Sequence, residues 1–172
     1  MRFMRARLPI SSLGDPRTFP LWEQLGKLNI PVAINDHIED IGQIKPALER
    51  FPEVKVALEH CFMMEVGPAP FSRLANIFEL ARYPNLYVKT AINNILAAEK
   101  AGSTPEALYT RLIEVFGVKR IMWSSNFPAW PKIGDYKHRV EVSKKAFAFL
   151  GEADREWIFA KTALSVYPSL KD

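Results

Sequence analysis

The sequence predicts an α/β protein in which helices join parallel strands, as in a doubly wound sheet or a (β/α) barrel of the TIM type. Short, continuously apolar segments alternate along the chain with longer segments whose apolar residues recur at helical spacing. Strands that are apolar on both sides are typical of parallel sheets with helices packed on their faces. With 172 residues, the chain is long enough for one domain with a substantial core, so we expect residues 1–172 to form a single domain.

The first third of the chain predicts two strands and two helices. Residues 3–10 alternate between apolar and polar, as in a half-buried strand, and the short apolar segment 31–35 predicts a second strand. Between them, helical spacing predicts a helix over 19–28, where Pro20 suits the first turn. A further helix is predicted over 41–51 and stops before a proline, because proline disfavours helical geometry in the residue before it.

The remainder of the chain continues the alternation. Strands are predicted over 54–59, 85–91 and 120–123, and helices over 71–81, 103–116, 136–150 and 154–167. Ser103 stands three residues before Glu106, which is a capping-box pattern at the start of a helix. Gly117 and Gly151 each follow a predicted helix, as is typical of helix C-termini.

Composition and charge exclude several classes of protein. Apolar residues make up 48% and charged residues 24%, as in a folded globular protein. The net charge of +4 comes from scattered residues, so neither nucleic acid nor a membrane is an expected partner. No apolar run is long enough to span a membrane, and no Gly-x-Gly-x-x-Gly or Gly-Lys-Ser/Thr phosphate loop occurs. Cys61 is the only cysteine, which fits a reducing, cytoplasmic location.

Polar residues follow the predicted strands at the ends where parallel α/β proteins bind their substrates. These residues are Asn35 and Asp36, Glu59 and His60, Lys89 and Thr90, and the segment 124–126. His60 is the best candidate for catalysis, because imidazole acts as a base, an acid or a metal ligand near neutral pH. A strand-end histidine that is hydrogen-bonded to a neighbouring loop is the alternative.

Three further residues are candidates for substrate binding. Lys89 either points into the mouth of a barrel and binds an anionic group, or forms a salt bridge. The amide of Asn126 either holds substrate or caps the turn before Phe127 and Pro128. Trp130, in the loop that follows, can form one wall of a pocket.

Several of these segments together resemble the amidohydrolase-related family, the amidohydrolase 2 branch of the metal-dependent hydrolase superfamily. The matching segments are LWEQLGKLNIPVAIN, RFPEVKVALEHC, LARYPNLYVKTA, FGVKRIMWSSNFP and DREWIFAKTALSVYP. They follow one another over nearly the whole chain, and RIMWSSNFP and EVKVALEHC are the most specific. The resemblance implies a (β/α)8 barrel, of which this chain supplies about five strands that correspond to strands four to eight.

The resemblance also implies a divalent metal, often zinc, that activates water for hydrolysis or decarboxylation of carbonyl compounds. In the family pattern, His60 matches the strand-six histidine, whereas Asn35 and Asn126 replace the strand-five histidine and the strand-eight aspartate. The His-x-His of strand one has no counterpart, and His37 or Asp36 would need a loop shift to substitute. Zinc prefers three or more His, Cys or carboxylate ligands, so Asn35, His37 and Asn126 are only weak candidates and we expect no intact metal site.

These features predict an amidohydrolase-type hydrolase or decarboxylase that acts on a small carboxylated or lactone-type substrate. His60 and Asn126 would be catalytic, and Asn35, Lys89 and Trp130 would bind the substrate. The alternatives are an inactive homologue that binds a ligand or assembles with a partner, and a truncated part of a longer enzyme. Five strands do not close a barrel and leave sheet edges unpaired, so we expect either a longer product or a second copy that covers the opening.

Overall fold

The computed structural model describes residues 1–4, 13–35, 38, 40–62 and 66–170. Within these residues, the chain forms an α/β fold around one sheet of five parallel strands in sequential order. The strands are β1 (Arg2–Met4), β2 (Val32–Asn35), β3 (Val56–Leu58), β4 (Leu86–Thr90) and β5 (Ile121–Trp123). The predicted parallel α/β architecture is therefore confirmed, with β1 and β5 at the two edges of the described sheet.

Helices connect the successive strands, as the alternating pattern predicts. The α-helices are α1 (Phe19–Lys27), α2 (Lys45–Arg50), α3 (Ala75–Leu80), α4 (Ile92–Lys100), α5 (Pro105–Phe116), α6 (Tyr136–Ala146), α7 (Glu152–Glu156) and α8 (Thr162–Val166). A π-helical turn, Trp157–Lys161, joins α7 to α8. Among the described residues, every helix is too short or too polar to cross a membrane.

One face of the sheet carries the main hydrophobic core. A single row of buried residues crosses β2 to β5 in register and points into this core: Ile34, Leu58, Val88 and Ile121. Trp22 of α1 is fully buried, stacks on Phe51 and donates from its indole N–H to the carbonyl of Leu13 at 3.0 Å. Large apolar side chains of this kind dominate the energy of a core, so this face holds the helices on the sheet.

The opposite face of the sheet is partly covered by the C-terminal helix α8. Ala57 of β3 and Met122 of β5 pack with Val166 in a second, smaller buried cluster, and Tyr87 of β4 packs against it. Side chains alternate between the two faces along a strand, so Lys89 lies on the same face as Tyr87. This face would line the interior of a barrel, and Lys89 lies near its carboxyl end.

The sequence pattern does not predict helix α4. The polar residues Asn93 and Asn94 occupy its first turn and interrupt the apolar spacing that marks the other helices. The expected cap of α5 is also displaced by one residue. Thr104, rather than Ser103, caps this helix and accepts a hydrogen bond from the N–H of Ala107 at 3.1 Å. Ser103 instead helps to end α4, since its N–H donates to the carbonyl of Ala98 at 3.0 Å.

Other predicted boundaries also differ from those in the structure. Helix α6 ends at Ala146, and Gly151 starts α7 as its N-cap instead of ending the preceding helix. The strand predicted over 54–59 stops at Leu58, because Glu59 already begins a 3₁₀ turn. Of the strand predicted over 3–10, residues 3 and 4 belong to β1, and the part from residue 5 onward lies outside the described residues.

The buried side chain of Asn85 ties the loop before β3 to the start of β4. Its amide Nδ2 lies 3.5, 3.3 and 3.1 Å from the carbonyl oxygens of Leu48, Phe51 and Val54. Asn85→Ala leaves these buried acceptors without their donor, and we expect the free energy of unfolding to fall by about 2 kcal/mol in urea titrations. The control is Asn76→Ala on the exposed side of α3, which should change it by less than about 0.5 kcal/mol. Equal effects of the two substitutions would contradict this role.

Candidate active site

The carboxyl ends of all the parallel strands lie on the same side of the sheet. We call this side the strand-end edge, and the polar residues that follow the strands lie along it. Asn35 ends β2, half-buried, and Lys89 is the penultimate residue of β4. Glu59 and His60 follow β3 directly in a 3₁₀ turn, and Asn126 lies in the loop after β5. His37 and Asp36, by contrast, lie outside the described residues.

The carboxylate of Glu59 is a buried charged group at this edge, at 6% exposure. Lys89 donates from Nζ to its Oε1 at 3.1 Å. Arg2 places Nε 2.5 Å from Oε2, although the two groups are not aligned as a hydrogen bond. A buried carboxylate is stable only when cations or donors offset its lost hydration, and two strands deliver these cations. The sequence allows two roles for Lys89, binding of an anionic group or a salt bridge. The structure shows the salt bridge.

His60 lies beside this ion cluster and is largely buried. Its Nδ1 is buried and has no hydrogen-bond partner among the described residues. Burial is the main cause that lowers the pKa of His60 below its ordinary value of 6.5; the charge of Glu59 opposes this shift, and Lys89 and Arg2 add to it. The imidazole is therefore neutral near neutral pH, with a nitrogen available to take a proton.

Two adjacent asparagines of α4 connect His60 to Asn126. Asn94 donates from Nδ2 to the carbonyl oxygen of His60 at 2.8 Å. Asn126 donates from Nδ2 to Oδ1 of Asn93 at 2.9 Å. The structure thus joins the two predicted catalytic residues through one helical turn, and it uses the amide N–H of Asn126 for an internal contact.

The loop that carries Asn126 is built around a buried arginine of α6. Arg139 is 0% exposed and donates to the carbonyl oxygens of five loop residues, at 2.7 to 3.2 Å: Ser125, Asn126, Ala129, Trp130 and Gly134. Asn126 and Trp130 both have left-handed backbone angles, with φ of 49° and 57°. The planar guanidinium can bind several carbonyls at once, so it stabilises a turn that few residues would adopt unaided. The indole of Trp130 itself is 58% exposed.

Several residues of this site carry no sequence signal of their own. Glu59 is recognisable only as a strand-end neighbour of His60. Arg2 and Tyr167 come from the two ends of the described chain, and Lys89 Nζ lies 5.9 Å from the ring centroid of Tyr167. Burial, with the charge of Glu59 second, raises the pKa of the Tyr167 hydroxyl. These contacts depend on strand register, which local spacing does not encode.

The residues of this edge that the structure describes do not fit the zinc site that the family pattern implies. Within the described ranges, no group of three or more His, Cys, Asp or Glu side chains converges on one point. The oxygens of Glu59 face Lys89 and Arg2, and these charges repel a dication. Asn126 donates from its amide nitrogen to Asn93, and as an asparagine it has no carboxylate that could bind a metal. No step that uses a metal is therefore derived from these residues.

Comparison with known proteins places this edge in a family context. The family model described as Amidohydrolase (Amidohydro_2) matches residues 1–169. A search of curated proteins found no match.

Solved structures share this fold at low sequence identity. A Pseudomonas putida protein provisionally named a 2-pyrone-4,6-dicarboxylic acid hydrolase is 17% identical, with a TM-score of 0.77, over 98% of this chain and 62% of its own. A Burkholderia multivorans amidohydrolase with bound zinc is 16% identical, with a TM-score of 0.74, over 97% and 63%. A Polaromonas dihydroxybenzoic acid decarboxylase, with bound manganese and 2-nitroresorcinol, is 17% identical, with a TM-score of 0.59, over 97% and 58%. The chain thus spans about three-fifths of the length of these TIM-barrel neighbours.

The role of Arg139 in the loop after β5 can be tested by stability. Arg139→Met removes a buried guanidinium that donates to five loop carbonyls, so we expect the free energy of unfolding to fall by about 3 kcal/mol. The control is Arg111→Met, which removes an exposed ion pair with Glu114 and should cost less than about 1 kcal/mol. Urea titration of both variants measures the difference, and similar losses would contradict the assignment.

The lowered pKa of His60 predicts a pH-dependent stability. The unfolded chain binds a proton at His60 near the ordinary value of 6.5, whereas the folded chain binds it only at lower pH. We therefore expect stability to fall as the pH decreases through 6.5 toward the folded-state pKa, and this contribution to be absent in His60→Gln. Urea titrations between about pH 7.5 and 5 compare the two proteins. If the free energy of unfolding changed with pH in the same way in wild type and variant, the lowered pKa of His60 would be contradicted.

Proposed function

The chain belongs to the amidohydrolase family, and we propose that residues 1–172 form a partial barrel unit that corresponds to strands four to eight of such an enzyme. We further propose that its strand-end site hydrolyses a C–O or C–N bond, or decarboxylates, a small carboxylated or lactone-type substrate. Further strands, from a longer product or a second copy, would complete the barrel around this site.

The observation that carries this proposal is the state of His60. A neutral imidazole with a buried, unpartnered Nδ1 among the described residues lies at the strand-end edge where parallel α/β enzymes place their chemistry. Because Nδ1 is enclosed by protein, the other ring nitrogen, Nε2, would be the one that accepts a proton from water. The names of two neighbours, a pyrone dicarboxylic acid hydrolase and a dihydroxybenzoic acid decarboxylase, support a small carboxylated ring compound as the substrate class.

In the proposed hydrolysis, His60 takes a proton from a water molecule as its oxygen attacks the carbonyl carbon of the substrate. The bond to the leaving oxygen then breaks, and His60 returns the proton to that oxygen, so the imidazole ends neutral. Lys89 and Arg2 supply positive charge beside the reacting centre and favour an anionic substrate, while the carboxylate of Glu59 holds both cations in place. Asn35 and the amide oxygen of Asn126 would orient the substrate, and Trp130 would contact it from the loop.

A binding role without catalysis is the second candidate. It is favoured by Asn126, whose amide N–H is already held by Asn93, and by the lack of a zinc-type ligand set among the described residues. In this case, the same edge would bind a small carboxylated ligand without turnover, or it would contribute to an assembly.

The catalytic proposal predicts that turnover depends on His60. We expect His60→Asn to lower kcat/KM by about 100-fold on a panel of lactones and carboxylated esters, and asparagine suits the left-handed φ of 50° at this residue. The control is His138→Asn on the exposed surface of α6, which should leave turnover within about twofold.

Turnover that is unchanged in His60→Asn would refute the assignment of the base. Binding of panel compounds by calorimetry without any turnover would instead support the binding role. If stoichiometric zinc remained bound after dialysis, the proposal that His60 acts without a metal would be overturned.

A further inference from the structure

The first turn of α4 contains two adjacent buried amides that contact both predicted catalytic residues. Asn93 is 5% exposed and Asn94 is 0% exposed, which is unusual for polar side chains in a helix. Asn94 reaches His60 at the end of β3, and Asn93 reaches Asn126 after β5. A single helical turn therefore spans the two loops that carry the candidate site.

Hydrogen bonds on the oxygen side determine the orientation of the Asn94 amide. Its Oδ1 accepts from the backbone N–H of Ala91 at 2.8 Å and from Oγ1 of Thr90 at 3.2 Å. Thr90 Oγ1 lies in turn 2.8 Å from the hydroxyl of Tyr109. Because the backbone N–H of Ala91 requires an acceptor, the Nδ2 group must face the carbonyl oxygen of His60, where a donor is needed, and the Thr90 hydroxyl can donate to Oδ1. Thr90, Asn94 and Tyr109 are all 0% exposed, so each of these side chains needs its partner.

The two residues that this turn holds share an uncommon backbone conformation. His60 has a φ of 50° and Asn126 a φ of 49°, in the left-handed region that residues other than glycine seldom adopt. Such conformations persist only where the surrounding structure holds them, and they concentrate at functional sites. The carbonyl oxygen of His60 is held by Asn94, and that of Asn126 is held by Arg139 at 2.7 Å.

We propose that Asn93 and Asn94 are positioning residues of the site: Asn94 holds the turn of His60, and Asn93 holds the amide of Asn126. Neither residue touches the reacting atoms; together they set the separation of the two loops. The catalytic consequence rests on the proposed function, whereas the coupling between α4 and His60 can be measured without turnover.

The test compares two substitutions with the same change in charge. Asn94→Asp keeps an oxygen for the N–H of Ala91 but removes the donor to His60, and it suits the first turn of a helix. The control is Asn76→Asp, which adds the same charge on the exposed side of α3, away from the site. Asn94→Ser, which also keeps an acceptor but is too short to reach His60, replaces Asn94→Asp if that chain does not fold.

Nuclear magnetic resonance of the labelled full chain reports the imidazole and backbone signals of His60. We expect these signals to shift and broaden in Asn94→Asp and to stay close to wild type in Asn76→Asp. With an active substrate, kcat should fall about tenfold in Asn94→Asp with KM within about twofold, and stay within about twofold in Asn76→Asp. Equal His60 signals in the two variants would overturn the proposal. If the wild type turns over no substrate, the proposed function fails, while the signals of His60 still decide the positioning role.

Discussion

The buried carboxylate of Glu59 determines the electrostatics of the strand-end edge. A carboxylate at 6% exposure needs compensation, and Lys89 on β4 and Arg2 on β1 provide it from either side of β3. The same three charges act on His60, whose pKa is lowered mainly by burial. The charge of Glu59 also contributes to the raised pKa of Tyr167. One ion cluster around a buried carboxylate therefore connects three strands and sets the charge that a ligand would meet there.

The second constraint is the sharp turn of the chain at two strand ends. His60 and Asn126 both adopt left-handed backbone angles, which need support from neighbouring groups. This support comes from buried side chains of the helices that follow, Asn94 of α4 and Arg139 of α6. The helices thus do more than cover the sheet, because they also hold the loops in which the candidate chemistry lies.

Much of the fold and part of the site could be predicted from the sequence. Apolar spacing is a local property, so the strands ending at Asn35 and Thr90 and the helix that ends before Gly117 follow from it directly. Parallel strands place their carboxyl ends together, so the proximity of His60 to Lys89 was also predictable. Helix α4 was not, because buried Asn93 and Asn94 replace the apolar residues that would have marked its first turn.

The sequence by itself determined the alternation of strands and helices, the family and the strand-end location of His60. The resemblance also led us to expect that Asn35 and Asn126 stand where the family pattern has metal ligands. Only the tertiary structure decided which groups surround them. It paired Lys89 with Glu59 across 30 residues and joined Asn94 to His60 across 34. Such contacts depend on strand register and on how helices pack, and neither is encoded in the local spacing of residues. For this reason the sequence indicates where the candidate site lies, and the packing of distant segments decides which of its atoms have partners.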